Sequence, residues 1–129
     1  MIYLDNAATT KMYDEVIDIE KDFEKKYFAN PSALHSFGME VENKVREARK
    51  IIGKYINAGE DEIYFTKGAT ESNNIIINSL SSEKNKAITT RLEHSSVIDA
   101  FENSQFKEVK LLANDNFGFI DMKDLEKSI

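Results

Sequence analysis

The sequence predicts an α/β fold in which a partial parallel sheet is flanked by helices. Apolar residues first recur at helical spacing, as at Val16, Ile19 and Phe23. After residue 60, short apolar segments of strand length alternate with segments of helical pattern. An alternation of strands and helices is typical of layered domains with a parallel sheet. Two helices followed by this alternation therefore predict the α/β class.

Two amphipathic helices are predicted in the first half of the chain. The first covers about residues 13–28 and stops before Pro31, because proline disfavours helix in the residue that precedes it. The second carries apolar residues from Phe37 to Ile56. It should end at Asn57-Ala58-Gly59, where Gly59 would adopt the left-handed conformation of a C-cap.

The second half is predicted to alternate strictly between strand and helix. The helix after the first strand should be buried, since Ile75, Ile76 and Ile77 leave little polar face. The order is a strand at Glu62 to Thr66, a helix from about Thr70 to Leu80, a loop at Ser81 to Glu83, a strand at Lys86 to Thr90, a helix capped by Ser95 or Ser96, a strand at Lys107 to Leu112 and a last helix capped by Asp121.

Length and charge limit the classes of partner. The 129 residues suit one domain, and the formal net charge is -6, from 17 basic and 23 acidic residues. Lysine and arginine do not cluster, so neither nucleic acid nor an anionic membrane is an expected partner. The sequence has no apolar run near the ~20 residues of a membrane span and no signal-peptide pattern at its start. A cytoplasmic location is the expectation.

Metal and thiol chemistry have no support in the composition. The chain contains no cysteine, which excludes disulfides, thiolate ligands and a cysteine nucleophile within it. The two histidines, His35 and His94, are far apart and do not show metal-ligand spacing. No metal site is therefore expected.

The stretch TKGATESNN, residues 66–74, is the first candidate site. Small residues between a strand and a helix allow a ligand to approach the backbone, and the free N–H groups of a helix start favour an anion. Ala69 and Thr70 would hold one phosphate, aided by the Thr70 hydroxyl. The fingerprints of dinucleotide-binding loops and nucleotide P-loops are both absent. An ordinary strand–turn–helix with Thr70 as a plain N-cap is the alternative.

His94, in the stretch RLEHSSV, is the second candidate. It follows a predicted strand and precedes a predicted helix, at the edge where open α/β sheets bind ligands. Gly68 to Thr70 would occupy the same edge after the preceding strand, so an anion site and an imidazole would share one side of the sheet. A surface loop residue or a helix cap is the alternative for His94.

Four stretches, in order and spacing, resemble the amino-terminal third of the cysteine desulfurases, which are class V members of the pyridoxal 5'-phosphate (PLP) transferases of fold type I. These stretches are YLDNAATT, NPSALHSFG, GATESNN and LEHSSV. The resemblance covers essentially all of residues 1–129, which it identifies as the amino-terminal segment of a desulfurase domain. It implies an enzyme that takes sulfur from L-cysteine for iron–sulfur clusters or tRNA thiolation.

The resemblance also assigns roles to single residues. Ala69 and Thr70 are similar to the residues that hold the PLP phosphate, and His94 to the imidazole that stacks on the pyridine ring and moves protons. The loop from Asn6 to Thr9 is expected in the wall of the substrate pocket, with Asn30 nearby. The resemblance implies a homodimer, with a sulfur-acceptor or scaffold protein as a further partner.

The family's remaining machinery has no counterpart in these 129 residues. By the resemblance, the Schiff-base lysine, the aspartate at the pyridine nitrogen, the substrate-binding arginine and the sulfur-accepting cysteine all lie downstream. The chain alone is therefore expected to be inactive and to self-associate, with Glu62 to Thr66 lacking its usual neighbouring strand. Two alternatives remain: a non-catalytic short homologue that binds another chain, or another class V enzyme such as a selenocysteine lyase or kynureninase.

Overall fold

The computed structural model describes residues 2–129 and divides the chain into two compact units, with the division between Tyr64 and Phe65. Within this described part, the first unit holds two α-helices and a short 3-10 turn, and the second holds three α-helices and two strands. In chain order the elements are α1 (Asp14–Lys26), α2 (Ser36–Ile56), the 3-10 turn (Glu60–Glu62), α3 (Ala69–Glu83), β1 (Lys86–Thr90), α4 (Ser95–Glu102), β2 (Glu108–Leu112) and α5 (Met122–Ser128).

Helix α1 is an exposed helix whose charges match its dipole. Asp14 and Glu15 lie in the first turn, and Lys25 and Lys26 in the last. Negative charge near the amino end and positive charge near the carboxyl end both stabilise a helix. No residue of α1 is buried among those described, so its apolar stripe is uncovered.

Helix α2 ends in a cap that differs from the predicted one. Asn57, with φ 57° and ψ 42°, takes the left-handed conformation, whereas Gly59 has φ −71°. Asparagine tolerates that conformation better than most residues. Glycine is required at position 53 instead. The Ala58 N–H donates to the Gly53 carbonyl at 2.9 Å. A Cβ at Gly53 would lie 2.5 Å from the Ala58 carbonyl oxygen.

The sheet of the second unit is parallel, as predicted, and joins β1 to β2. The register runs from Lys86 opposite Glu108 to Thr90 opposite Leu112. An ion pair of 2.8 Å joins Lys86 Nζ and Glu108 Oε2 at the start of the two strands. Helix α4 makes the crossover between β1 and β2, as parallel pairing requires.

The predicted strand from Glu62 to Thr66 was wrong. Residues 60–62 form the 3-10 turn, and residues 63–66 carry no strand assignment and pair with no other described segment. In the described part of the chain this segment has no neighbouring strand. A strand is defined by its ladder of hydrogen bonds to a neighbour, so a segment without one does not form a strand.

The core is small, and α3 is less buried than its composition predicted. Among the described residues, the buried apolar side chains are those of Ile63, Ile77, Ala100 and Leu112. On α3, in contrast to the prediction, Ile75 is 54% exposed. Ile76 and Leu80 are exposed as well. Side chains of α3 are therefore buried along one face of the helix only.

Helix α3 also continues through the predicted loop at Ser81 to Glu83. The Ser81 and Ser82 hydroxyls donate to the carbonyls three residues earlier, at 2.9 Å and 2.7 Å. The buried Ser81 oxygen in turn accepts the Gln105 N–H at 3.1 Å. These side-chain hydrogen bonds to the backbone therefore support a last helical turn. Composition alone predicts a loop there.

The segment after β2 turns back and starts α5 as predicted. Asn114 and Ile120 form an antiparallel bridge around Gly118, whose φ of 90° suits glycine. The Asp121 side chain accepts the Lys123 N–H at 2.9 Å, which confirms it as the N-cap. Within residues 2–129, no helix combines the length and the apolar character needed to cross a bilayer.

Candidate functional site

The amino end of α3 is open and glycine-dependent. Gly68 precedes the helix with φ 154° and ψ 179°, a conformation that side chains disfavour. It provides no side-chain cap, and a Cβ at this position would meet no atom within 4 Å. The space in front of the helix start is therefore accessible to a ligand.

The first turn of α3 presents free donors to that space. The Ser72 N–H is the first to find an intrahelical partner, the Gly68 carbonyl, at 3.2 Å. The N–H groups of Ala69 and Thr70, like the Thr70 hydroxyl, donate no hydrogen bond to any of the described residues. Free donors and a positive helix end are features that favour the binding of an anion.

The turn before α3 is held by side chains of the helix itself. The Lys67 N–H donates to a Glu71 carboxylate oxygen at 2.6 Å, and the Thr66 and Ser72 hydroxyls lie 2.7 Å apart. An open depression of about 420 Å³ is lined by Lys67, Gly68, Thr70, Glu71 and Asn74. The Lys67 ammonium and the helix dipole favour an anion there, while the Glu71 carboxylate, engaged by the backbone, opposes one.

The loop between β1 and α4 positions His94. The Leu92 N–H donates to the Thr90 hydroxyl at 3.2 Å, and that hydroxyl donates to a Glu93 carboxylate oxygen at 3.1 Å. These bonds hold the chain as it leaves the carboxyl end of β1. They bring His94 to the amino end of α4.

His94 itself, rather than Ser95 or Ser96, is the N-cap of α4. Its Nδ1 accepts the Ser96 N–H at 3.1 Å. The prediction of Ser95 or Ser96 as the cap was wrong, because serine is only the more common capping residue. The alternative for His94, a helix cap, is confirmed. An imidazole nitrogen with a free lone pair accepts the same N–H as a serine oxygen would, and the rest of the ring stays exposed.

The amino ends of α3 and α4 meet through a hydrogen bond between their side chains. Asn73 Nδ2 donates to Ser96 Oγ at 3.0 Å, across 23 residues of sequence. Asn73 lies one turn after Ala69, and Ser96 lies two residues after His94. The structure therefore brings Ala69, Thr70 and His94 to neighbouring helix ends, while their roles stay predictions.

Asn73 and Ser96 are the residues that sequence reasoning missed at this site. Their link is a tertiary contact between two helices, and hydrophobic periodicity carries no information about such a contact. Asn73 lies in the candidate stretch 66–74 without a predicted role, and Ser96 is predicted only as a helix cap. The one available signal was the polar character of Asn73 on a helix that is otherwise rich in isoleucine.

Two predicted pocket loops lie in the first unit and are held by local bonds. The Thr10 hydroxyl donates to the Asn6 carbonyl at 3.0 Å, and the Asn30 side chain accepts the Ser32 N–H at 2.9 Å. Their expected place in the substrate-pocket wall stays a prediction. Within residues 2–129, no group of three or more histidine, aspartate or glutamate side chains is arranged to hold a metal.

Comparisons with known proteins place the chain in one family. The family model "Aminotransferase class-V" matches residues 2–129. The cysteine desulfurase IscS of Dictyoglomus turgidum is 42% identical over 99% of this chain and 34% of its own length. The mitochondrial cysteine desulfurase of Drosophila melanogaster is 41% identical over 99% of this chain and 29% of its own length. The chain thus spans about a third of the curated relatives it matches.

Solved structures show the same relationship. A NifS-like protein superimposes with a TM-score of 0.85 and 31% identity, over 96% of this chain and 36% of that one. SspA in complex with cysteine superimposes with a TM-score of 0.85 and 34% identity, over 98% of this chain and 38% of that one. The α/β architecture is therefore that of the amino-terminal part of a cysteine desulfurase, as predicted.

Proposed function

The chain belongs to the class V aminotransferase family, and on this premise we propose that it is the amino-terminal part of a PLP-dependent cysteine desulfurase that acts on L-cysteine. The observation that carries the proposal is the meeting of two helix ends. Free donors at the start of α3 and the His94 ring at the start of α4 are joined through the 3.0 Å bond between Asn73 and Ser96. One end of the second unit thus offers an anion seat and an imidazole together.

The residues at the start of α3 fit a phosphate group. The Ala69 and Thr70 N–H groups and the Thr70 hydroxyl would each donate to a phosphate oxygen, and such charge-assisted bonds are stronger than neutral ones. Gly68 contributes no side chain that would block the approach. The Lys67 ammonium adds positive charge at the same depression.

His94 would orient the cofactor ring and exchange a proton with the bound substrate. Its imidazole is flat and exposed, so one face can lie against an aromatic ring. Its Nδ1 is occupied by the Ser96 N–H, which leaves Nε2 as the nitrogen that can meet a ligand. PLP, when bound, supplies the electron sink for breaking bonds at the substrate's α-carbon.

The sulfur-accepting group must come from elsewhere. A thiolate nucleophile requires cysteine, and this chain contains none. We infer that the acceptor cysteine and the lysine that links PLP covalently belong to polypeptide beyond these 129 residues. The chain alone should then release no sulfide from L-cysteine above the background of free PLP. A homodimer and transfer of sulfur to a separate acceptor or scaffold protein complete the proposal.

Two matched ligands test the cofactor site. PLP and pyridoxal both react with lysines, but only PLP carries the phosphate, so their difference isolates the phosphate seat. Amide signals of Ala69 and Thr70 should shift in NMR spectra on titration with PLP and stay fixed with pyridoxal, while that of Gly118 stays fixed with both. Equal shifts with both ligands, or none at Ala69 and Thr70, would remove the assignment.

A further inference from the structure

We propose that Asn73 and Ser96 are positioning residues that hold the neutral His94 ring in the tautomer with its proton on Nε2. The inference rests on the proposed function only for what that proton does. The tautomer itself follows from two contacts at one ring nitrogen and a third contact behind them. These contacts join His94 Nδ1 to the backbone and side chain of Ser96, and Ser96 in turn to Asn73.

The first contact decides which ring nitrogen is unprotonated. The Ser96 backbone N–H lies 3.1 Å from His94 Nδ1. A backbone N–H donates and never accepts, so Nδ1 must offer a lone pair. In a neutral imidazole the other nitrogen then carries the proton. Among the described residues Nε2 has no hydrogen-bond partner, so Nε2–H is the free donor of the ring.

The second contact fixes the direction of the serine hydroxyl. Ser96 Oγ lies 3.0 Å from the same Nδ1. Because Nδ1 carries no proton, the hydroxyl is the donor, and the two donors share one lone pair. The Ser96 oxygen then has only lone pairs left for any third group.

The third contact supplies that group. The Asn73 side chain lies 3.0 Å from Ser96 Oγ with its Nδ2 as donor. The reversed amide would set Oδ1 against an oxygen whose proton already points at Nδ1, which is repulsive. Since Ser96 is buried and Asn73 is half-buried, water competes little with this relay, although the ring itself is exposed.

His35 provides a control within the same chain. Its Nδ1 accepts the Gly38 N–H at 3.2 Å and caps α2. No hydroxyl or amide of the described residues stands behind it. His35 thus shares the backbone cap of His94 but lacks the hydroxyl and the amide behind it, so it shows the tautomer that a backbone cap alone favours.

For the proposed reaction, the tautomer decides whether Nε2 of His94 donates or accepts a hydrogen bond. While Nδ1 caps α4, the neutral ring can donate a hydrogen bond from Nε2–H but cannot accept a proton there. His94 would therefore enter the bound complex as a donor. It would accept a proton only when release of the cap frees the Nδ1 lone pair, and it would give up a proton only from the imidazolium that results.

The test reads the tautomer directly, in the 129-residue chain without PLP. Long-range ¹H–¹⁵N spectra at alkaline pH show which ring nitrogen carries the proton. For wild type we expect the Nε2–H form at His94. Ser96→Ala removes the hydroxyl, and Asn73→Asp turns the donor into an acceptor that draws the hydroxyl away. Each should shift the ratio of tautomers towards Nδ1–H by roughly two- to tenfold, the effect of one ordinary hydrogen bond.

Matched variants complete the design. Ser96→Thr keeps a hydroxyl and should keep the wild-type ratio, and Ser95→Ala should leave it unchanged. Unaltered amide signals of β1 and β2 show that the second unit of each variant is folded. An Nδ1–H form in wild type, or equal ratios in wild type, Ser96→Ala and Asn73→Asp, would overturn the proposal. Failure of His94 signals to move on adding PLP would contradict the proposed function while leaving the tautomer result intact.

Discussion

Thr70 combines a backbone N–H and a hydroxyl at the amino end of α3, and neither donates to another described residue. If both donate to a phosphate, Thr70→Val removes one charge-assisted bond and keeps the shape of the side chain. Affinity for inorganic phosphate should fall roughly tenfold or more. Ser82→Ala, at the opposite end of the same helix, is the control. NMR titrations measure both, and equal affinities for the two variants would exclude the hydroxyl from the site.

His94 shows which features of a site the sequence predicts and which it does not. His94 is predicted as a site residue because it follows a predicted strand. The structure places it after the carboxyl end of β1. Capping of a helix is predicted only as the alternative role of His94, because serine, threonine, aspartate and asparagine are the more common capping residues. The choice of an imidazole nitrogen depends on a side-chain rotamer that the sequence does not reveal.

Among the secondary-structure elements, the pairing of β1 with β2 has a pH-dependent component. The pKa of Glu108 is lowered from its ordinary value of 4.5, first by its hydrogen bond with Lys86 and then by the charge of that lysine. A carboxyl pKa that is lower in the folded state stabilises the fold above about pH 4.5, and this contribution is lost as the pH falls through the folded value.

The Glu108→Gln variant should therefore lose less stability than wild type between about pH 6 and about pH 3. Thermal unfolding followed by circular dichroism measures the difference. Glu126→Gln is the control, because Glu126 makes no ion pair within residues 2–129. Parallel pH profiles for wild type and Glu108→Gln would show that the ion pair contributes nothing to strand pairing.

The sequence predicts a helix or strand correctly where local spacing of apolar residues decides it. It predicts one poorly where the element needs a neighbouring strand. The helices from 14 to 26 and from 36 to 56 follow from their apolar spacing. The segment at 63–66 has the composition of a strand, but no described segment pairs with it. Composition sets the preference for extended structure, and only tertiary pairing turns that preference into a strand.

The molecule as a whole leaves large apolar side chains uncovered. In the second unit, both strands of the two-stranded sheet have an edge without a described partner, and an open edge is a template for association. Apolar residues also line a cleft of about 310 Å³ beside α4 and β2. The side chains lining it include Ile98, Phe101, Phe106, Val109 and Leu111.

We therefore expect the chain to self-associate. Sedimentation velocity should show a mean mass that rises with concentration over the micromolar to millimolar range. Leu111→Lys places a charge on this apolar surface and should weaken association, whereas Lys127→Glu at the end of α5 should not. A clean monomer at all concentrations would refute this expectation.

The central claim, that this chain supplies one wall of a cysteine desulfurase active site, is tested most directly by an exchange of segments. The aligned third of the Dictyoglomus turgidum desulfurase is replaced by this chain, and sulfide release from L-cysteine is measured. The hybrid should release sulfide, Ser95→Ala should leave its rate unchanged, and His94→Ala should lower the rate by roughly 10²- to 10⁴-fold. A folded hybrid that binds PLP but releases no sulfide, or a His94→Ala hybrid with a full rate, would contradict the claim.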